Sequence, residues 1–101
     1  MNNVNLLGRF GADPKVMELE KDGRKFTSLN GSIAVSENKD TTYWINIHAS
    51  GTTADNIAKY FKKGDRILVN GKLVTYKDKN DNYQYSVNIT TFDFIEKKEG
   101  W

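Results

Sequence analysis

Hydrophobic and polar residues alternate with period two over most of this chain, as they do in half-buried β-strands. Val4 and Leu6 alternate with Asn3 and Asn5, which predicts a short first strand ending near Gly8. Met17 and Leu19 alternate with Glu18 and Glu20; Lys21-Asp22-Gly23 then supplies a turn, and a long strand follows from about Arg24 to Val35. In that strand Leu29, Gly31, Ile33 and Val35 share one face, opposite Ser28, Asn30 and Ser32. Tyr43 to Ala49 repeats the pattern, and Arg66 to Tyr76 and Tyr83 to Ile95 complete a set of about five strands. The last strand changes parity between Ile89 and Phe92, which predicts a β-bulge.

One segment breaks the rhythm. Ala54, Ile57, Ala58 and Phe61 follow the i, i+3, i+4, i+7 spacing of an amphipathic helix. Thr52 with Asp55 has the form of a capping box, and Lys62-Lys63-Gly64 supplies basic residues and then a glycine stop. The order strand-strand-strand-helix-strand-strand predicts an all-β chain with one helix. This is the five-stranded Greek-key barrel of the OB-fold, with its α-helix between the third and fourth strands, an arrangement that serves oligonucleotide or oligosaccharide binding.

A length of 101 residues fits one domain over residues 1–101, with no linker or repeat. The 12% aromatic content argues against disorder, and the absence of Cys removes disulfide scaffolds, thiol catalysis and thiolate metal sites. The opening Met-Asn-Asn-Val-Asn-Leu-Leu lacks a basic run followed by an apolar stretch, and no segment reads as a membrane span. A soluble cytoplasmic protein is expected, with no cofactor, no metal and no small-molecule substrate.

Candidate binding residues come from the faces left outside the core. Tyr43, Ile45, Ile47 and Ala49 make an apolar strand face, which places Trp44, Asn46, His48 and Ser50 on the other. A large aromatic among hydrogen-bonding side chains suits base stacking; covering a loop or a subunit interface is the alternative. On the next strand Ile67, Val69, Gly71 and Leu73 read as core, opposite Leu68, Asn70, Lys72, Val74 and Tyr76, where Leu68 and Val74 could meet another subunit. Tyr76 and Tyr83 flank a polar hairpin loop carrying Lys77 and Lys79. Phe26 lies on a non-core face beside Arg24 and Lys25, with a structural and a binding role equally open. Tyr85, sharing a face with Val87 and Ile89, reads as core, Tyr60 and Phe61 as helix packing, and Phe92 and Phe94 as barrel closure.

Net charge is only +2, but it is unevenly spread. Lys59 to Lys79 holds seven basic and two acidic side chains, a net +5, and the remainder holds eight and eleven, a net −3. Positive charge concentrated in this way can follow a phosphate backbone, although Lys62 and Lys63 also suit the negative end of the helix dipole.

At these residues the chain resembles the bacterial and phage single-stranded DNA-binding proteins over nearly its whole length. Asn5-Leu6-Leu7-Gly8-Arg9 with Asp13-Pro14 resembles their opening strand and turn, and Phe26 through Ser32-Ile33-Ala34-Val35 their second strand. Trp44-Ile45-Asn46, the run Ala54 to Asp65 and Val69-Asn70-Gly71-Lys72-Leu73-Val74-Thr75 resemble further family segments, in order. The resemblance implies an OB-fold that binds single-stranded DNA with little sequence preference in replication, recombination or repair, assembled through its sheets as a dimer or tetramer. It carries a stacking role onto Trp44. Two positions where members often hold an aromatic are here Lys39 and Ser50, and Asp78 lies near another. Lys39 could still touch phosphate, and Phe26, Tyr76 and Tyr83 could replace missing rings. The candidate contacts are therefore Trp44, Phe26, Tyr76 and Tyr83 for bases, Asn46 and His48 beside them, and Arg9, Arg24, Lys39, Lys72, Lys77 and Lys79 for phosphate. The closing Glu96-Lys97-Lys98-Glu99-Gly100-Trp101 lacks the acidic-tipped tail of many members.

An enzyme is not expected: His48, the single His, has no identifiable carboxylate partner and reads as a hydrogen-bonding or stacking residue. An accessory module binding RNA, oligosaccharide or a replication protein in a primosome-like role would suit the same fold, as would a subunit whose aromatics bury only against its own copies.

Overall fold

The computed structural model describes residues 1–95, so the closing segment lies outside the described residues. Six strands and one helix follow in the order β1 (Val4–Phe10), β2 (Lys15–Lys21), β3 (Arg24–Asn38), β4 (Thr41–Ser50), α1 (Gly51–Tyr60), β5 (Arg66–Lys77) and β6 (Tyr83–Phe94). The alternation at Met17–Glu20 is thus a strand of its own. Asp22 and Gly23 both take positive φ, 53° and 77°, in the two-residue hairpin turn that joins β2 to β3.

Five of the strands close on themselves. β1 pairs with β5 from Val4 to Arg9 and meets β3 at Arg9 and Phe10. β5 pairs with β6, β6 runs parallel to β4 at Ile47–Val87 and His48–Asn88, and β4 pairs with β3. The helix falls between the third and fourth strands of this closed set, as the sequence predicts, and β2 hangs outside it on β3. Closure leaves one interior, filled by Phe10, Leu29, Ile33, Ile47, Ile67, Val69 and Val87. Each large side chain so buried contributes about 1.5–3 kcal/mol. The predicted bulge is also present: Asn70 pairs with Thr91 and Gly71 with Ile89, which leaves Thr90 as the extra residue.

The helix begins and ends differently from its sequence signals. Its N-cap is Ser50, without a side-chain cap, and the Asp55 carboxylate accepts a hydrogen bond from the Thr27 hydroxyl on β3 instead of closing a box with Thr52. The chain turns extended at Phe61, a full turn before Gly64, because Phe61 is drawn into the core against Phe10, Phe92 and Phe94. Ala54 and Ile57 are buried as the spacing requires.

Three residues read as core are exposed. Tyr43 is half exposed and donates from its hydroxyl to Glu37 at 3.2 Å. Leu73 and Tyr85 are 45% and 61% exposed. The cause is shared: β5 and β6 continue as a two-stranded arm after their partners end, and β3 and β4 likewise run on past Ile45, so the inward parity persists where no interior remains.

Candidate nucleic-acid interface

Period-two geometry on four adjoining strands builds the site. Asn30 on β3 pairs with His48 on β4, His48 with Asn88 on β6, and Asn88 with Lys72 on β5, giving one polar row across the outer face of the sheet. Toward the arm the next row holds Asn46, opposite Ser32 on β3, with Ser86 and Val74 facing each other on β6 and β5. The Ser86 hydroxyl donates to the Asn46 carbonyl at 3.4 Å, which ties β6 to β4 at this level.

Trp44 stands four residues along β4 from His48, and Tyr76 four residues along β5 from Lys72. Because β6 is parallel to β4 and antiparallel to β5, both steps point the same way, about 14 Å at ~3.4 Å per residue. The two aromatics therefore rise at the same end of the face, Trp44 62% and Tyr76 48% exposed, with the amides of the polar rows as floor. His48 is half-buried and hydrogen-bonds the buried Ser28 hydroxyl at 3.2 Å, which fixes its ring on that floor.

The surface here is a single groove. A cleft of about 450 Å³ lined by Asn30, Asn46, His48, Tyr76, Ser86 and Asn88 adjoins a second of similar volume lined by Trp44, Asn46, Lys15 and the Gly11–Asp13 turn. At the other end a depression of about 210 Å³ continues between His48, Ser50, Lys72 and Asn88. Amides and hydroxyls can donate to and accept from any base edge, aromatic faces accept any base, and ammonium groups at the ends can meet phosphate. This floor is polar without being strongly charged, so it suits a flexible polyanion that also exposes flat apolar rings.

Of the residues chosen from sequence, Trp44, Asn46, His48, Lys72 and Tyr76 meet in the groove. Arg9 pairs with Ala34, itself the partner of Trp44, so it stands in line with that ring while donating from Nη1 to the Gly64 carbonyl at 2.6 Å. The others lie elsewhere. Tyr83 is on the reverse face of the arm beneath Lys77, whose Nζ sits 5.3 Å from the ring centroid and 3.5 Å from Asp81. Lys79 is at the arm's tip, Lys39 at the β3–β4 turn and Arg24 at the β2–β3 turn. Phe26, half-buried, borders a separate hollow with Glu18, Lys25, Thr27 and Asp55, where Lys25 pairs with Glu18 at 3.6 Å. The +5 segment consequently does not run along the groove as one track: of it Lys72, Val74 and Tyr76 line the cleft, Lys72 being its one basic residue there, and Lys15 joins from outside the segment.

Asn30, Asn88 and Lys15 are groove residues that sequence reasoning did not choose. The parity of Asn30 and Asn88 marks both as outward-facing, but their convergence depends on β6 lying beside β4 rather than on any local pattern.

The model of the Single-strand binding protein family matches residues 1–95. The chain is 30% identical to a single-stranded DNA-binding protein 1 of Clostridium acetobutylicum over 107 residues, covering 98% of this chain and 97% of that protein. Its fold is similar to the crystal structure of the single-stranded DNA binding protein of Thermus aquaticus, with a TM-score of 0.79 at 23% identity, covering 100% of this chain but 43% of that one. It is also similar to the SSB domain of a Synechococcus protein, with a TM-score of 0.74 at 13% identity, covering 91% of this chain and 93% of that one. The fold is the OB-fold of these proteins.

Proposed function

The chain belongs to the single-strand binding protein family, and from that premise we propose that it binds single-stranded DNA along the groove, with little sequence preference. Bases stack on Trp44 and Tyr76 and rest on the amides of Asn30, Asn46 and Asn88. Lys15, Lys72 and Arg9 meet the phosphates at the groove's margins. Bound in this way the strand is shielded during replication, recombination or repair in the cytoplasm. The observation that carries the reading is Trp44, a ring 62% exposed at the head of a hydrogen-bonding floor. A ring serving only as core or loop cover would be buried against its own chain.

The working form is a dimer or tetramer. Supporting this, Leu7 and Leu68 are cross-strand partners on the outer face of β1 and β5, 47% and 38% exposed. From Val4 to Gly8, moreover, β1 has no strand on its second edge among the described residues. An open edge beside an apolar pair is a surface that a second copy can cover.

Titration with oligo-dT, the equivalent RNA and duplex DNA at several salt concentrations tests the function. Single-stranded DNA should bind best, with affinity falling as salt rises because phosphate contacts release counterions. Trp44→Ala should weaken binding by about 1–3 kcal/mol. Equal affinity for duplex and single strand, or RNA strongly preferred over DNA, would overturn the assignment.

A further inference from the structure

Gly11 abuts the outer edge of the Trp44 indole. A methyl group built on its Cα falls 2.5 Å from Cζ3 and 2.6 Å from Cη2 of the indole, well inside van der Waals contact. The backbone at Gly11 is not in the left-handed region, so no positive φ calls for glycine there. The glycine is required there only by the ring.

The loop cannot give way instead. Phe10 accepts from Gly64 N at 2.9 Å and donates to the Asp65 carbonyl at 3.0 Å, and the Asp13 carboxylate accepts from Lys63 N at 2.8 Å. Arg9 adds its bond to the Gly64 carbonyl. The segment carrying Gly11 is thus fastened on both sides to the chain that follows the helix. Any side chain at position 11 would displace the indole, whose open side is solvent.

We propose that Gly11 is a positioning residue for single-stranded DNA: its bare Cα is the seat that holds the Trp44 ring in the orientation a base stacks on. This rests on the DNA-binding reading above. Stacking depends on ring orientation, and a ring already seated loses little freedom when a base arrives. The seat raises affinity without touching DNA.

The test uses the Trp101→Phe background, where Trp44 is the one indole left in the sequence. Gly11→Ala should alter the near-ultraviolet circular dichroism of the free protein and weaken oligo-dT binding roughly 5- to 30-fold, part of what loss of the ring costs. The melting temperature should hold or rise slightly, since Ala restricts the unfolded chain more than Gly. In a Trp44→Phe protein the same change should cost less than about twofold, because Phe lacks the outer ring that meets the methyl. Wild-type affinity for Gly11→Ala, or an equal loss in the Trp44→Phe background, would overturn the seat. A wild-type chain that fails to bind oligo-dT would overturn the DNA reading instead, and the dichroism of Gly11→Ala would still report whether the ring is seated.

Discussion

Tyr76 and Tyr83 provide a sharp test of how the arm is used. They are near neighbours, Tyr76 pairing with Gln84 and Lys77 with Tyr83, yet strand parity sends them to opposite faces. Tyr76 faces the groove with Val74 and Lys72, whereas Tyr83 faces the reverse side with Lys77, Tyr85 and Leu73. Both are well exposed, 48% and 65%, so replacing either should change folding stability by no more than about 0.5–1 kcal/mol. Their effects on binding should differ far more. Removing a ring that stacks a base costs about 1–3 kcal/mol, so Tyr76→Ala should raise the Kd roughly 5- to 150-fold. Tyr83→Ala removes the ring under Lys77, an exposed contact worth about 0.5–1 kcal/mol to the arm, and should leave the Kd within about twofold. Tyr76→Phe keeps the ring and should bind like wild type. Fluorescence anisotropy of a labelled short oligo-dT at one fixed salt concentration gives the constants, and thermal melts check the fold. A loss for Tyr83→Ala as large as that for Tyr76→Ala would refute the one-faced use of the arm.

Other perturbations address the frame of the site. A methyl at Gly71 would strike the Asn88 carbonyl oxygen, with the carbonyl carbon 2.8 Å and Ile89 Cα 3.1 Å away, all backbone at the bulge. Gly71→Ala should therefore destabilise the fold by about 2–3 kcal/mol, and an unchanged denaturation midpoint would show that the bulge relaxes freely. Leu68→Arg places a charge on the apolar pair and should shift sedimentation toward the monomer; an unchanged assembly would place the interface elsewhere. The Asp78 carboxylate is held below the usual carboxylate range, first by the Asn82 backbone N–H, then by the Gln84 amide, and also by Asn80 N–H. Because its folded value is depressed, the order it gives the arm's tip is complete above the ordinary carboxylate range and is lost as pH falls through the depressed value. The Asn80 and Asn82 amide resonances should report that titration, and Asp78→Asn should abolish it.

Period-two alternation and one stretch of helical spacing were enough to place the five strands of the closed sheet, the helix and a bulge between Ile89 and Phe92, which the pairing puts at Thr90. These are local signals: a strand half in water must alternate, and a ring among polar neighbours on one parity must face outward, as Trp44 does. Charge along the chain was a poorer guide. Lys59 to Lys79 reads as one basic run, but the fold spreads it over the helix and the chain after it, an outer strand face, and the reverse side and tip of the arm.

What the sequence determined by itself was the parity of each residue, and hence Trp44, Asn46, His48, Lys72 and Tyr76 on outward faces. Only the tertiary structure decided what those faces meet. Tyr43, Leu73 and Tyr85 have inward parity and are still wet, because burial depends on where the closed sheet ends rather than on alternation. Asn30, His48, Asn88 and Lys72 form one row only because β6 lies beside β4, a contact between strands distant in the chain. Gly11 seats Trp44 only because the β1–β2 turn is fastened to the chain beyond the helix. Parity is set by each residue's own backbone, whereas adjacency is set by which distant strands share hydrogen bonds, and no local pattern encodes that choice.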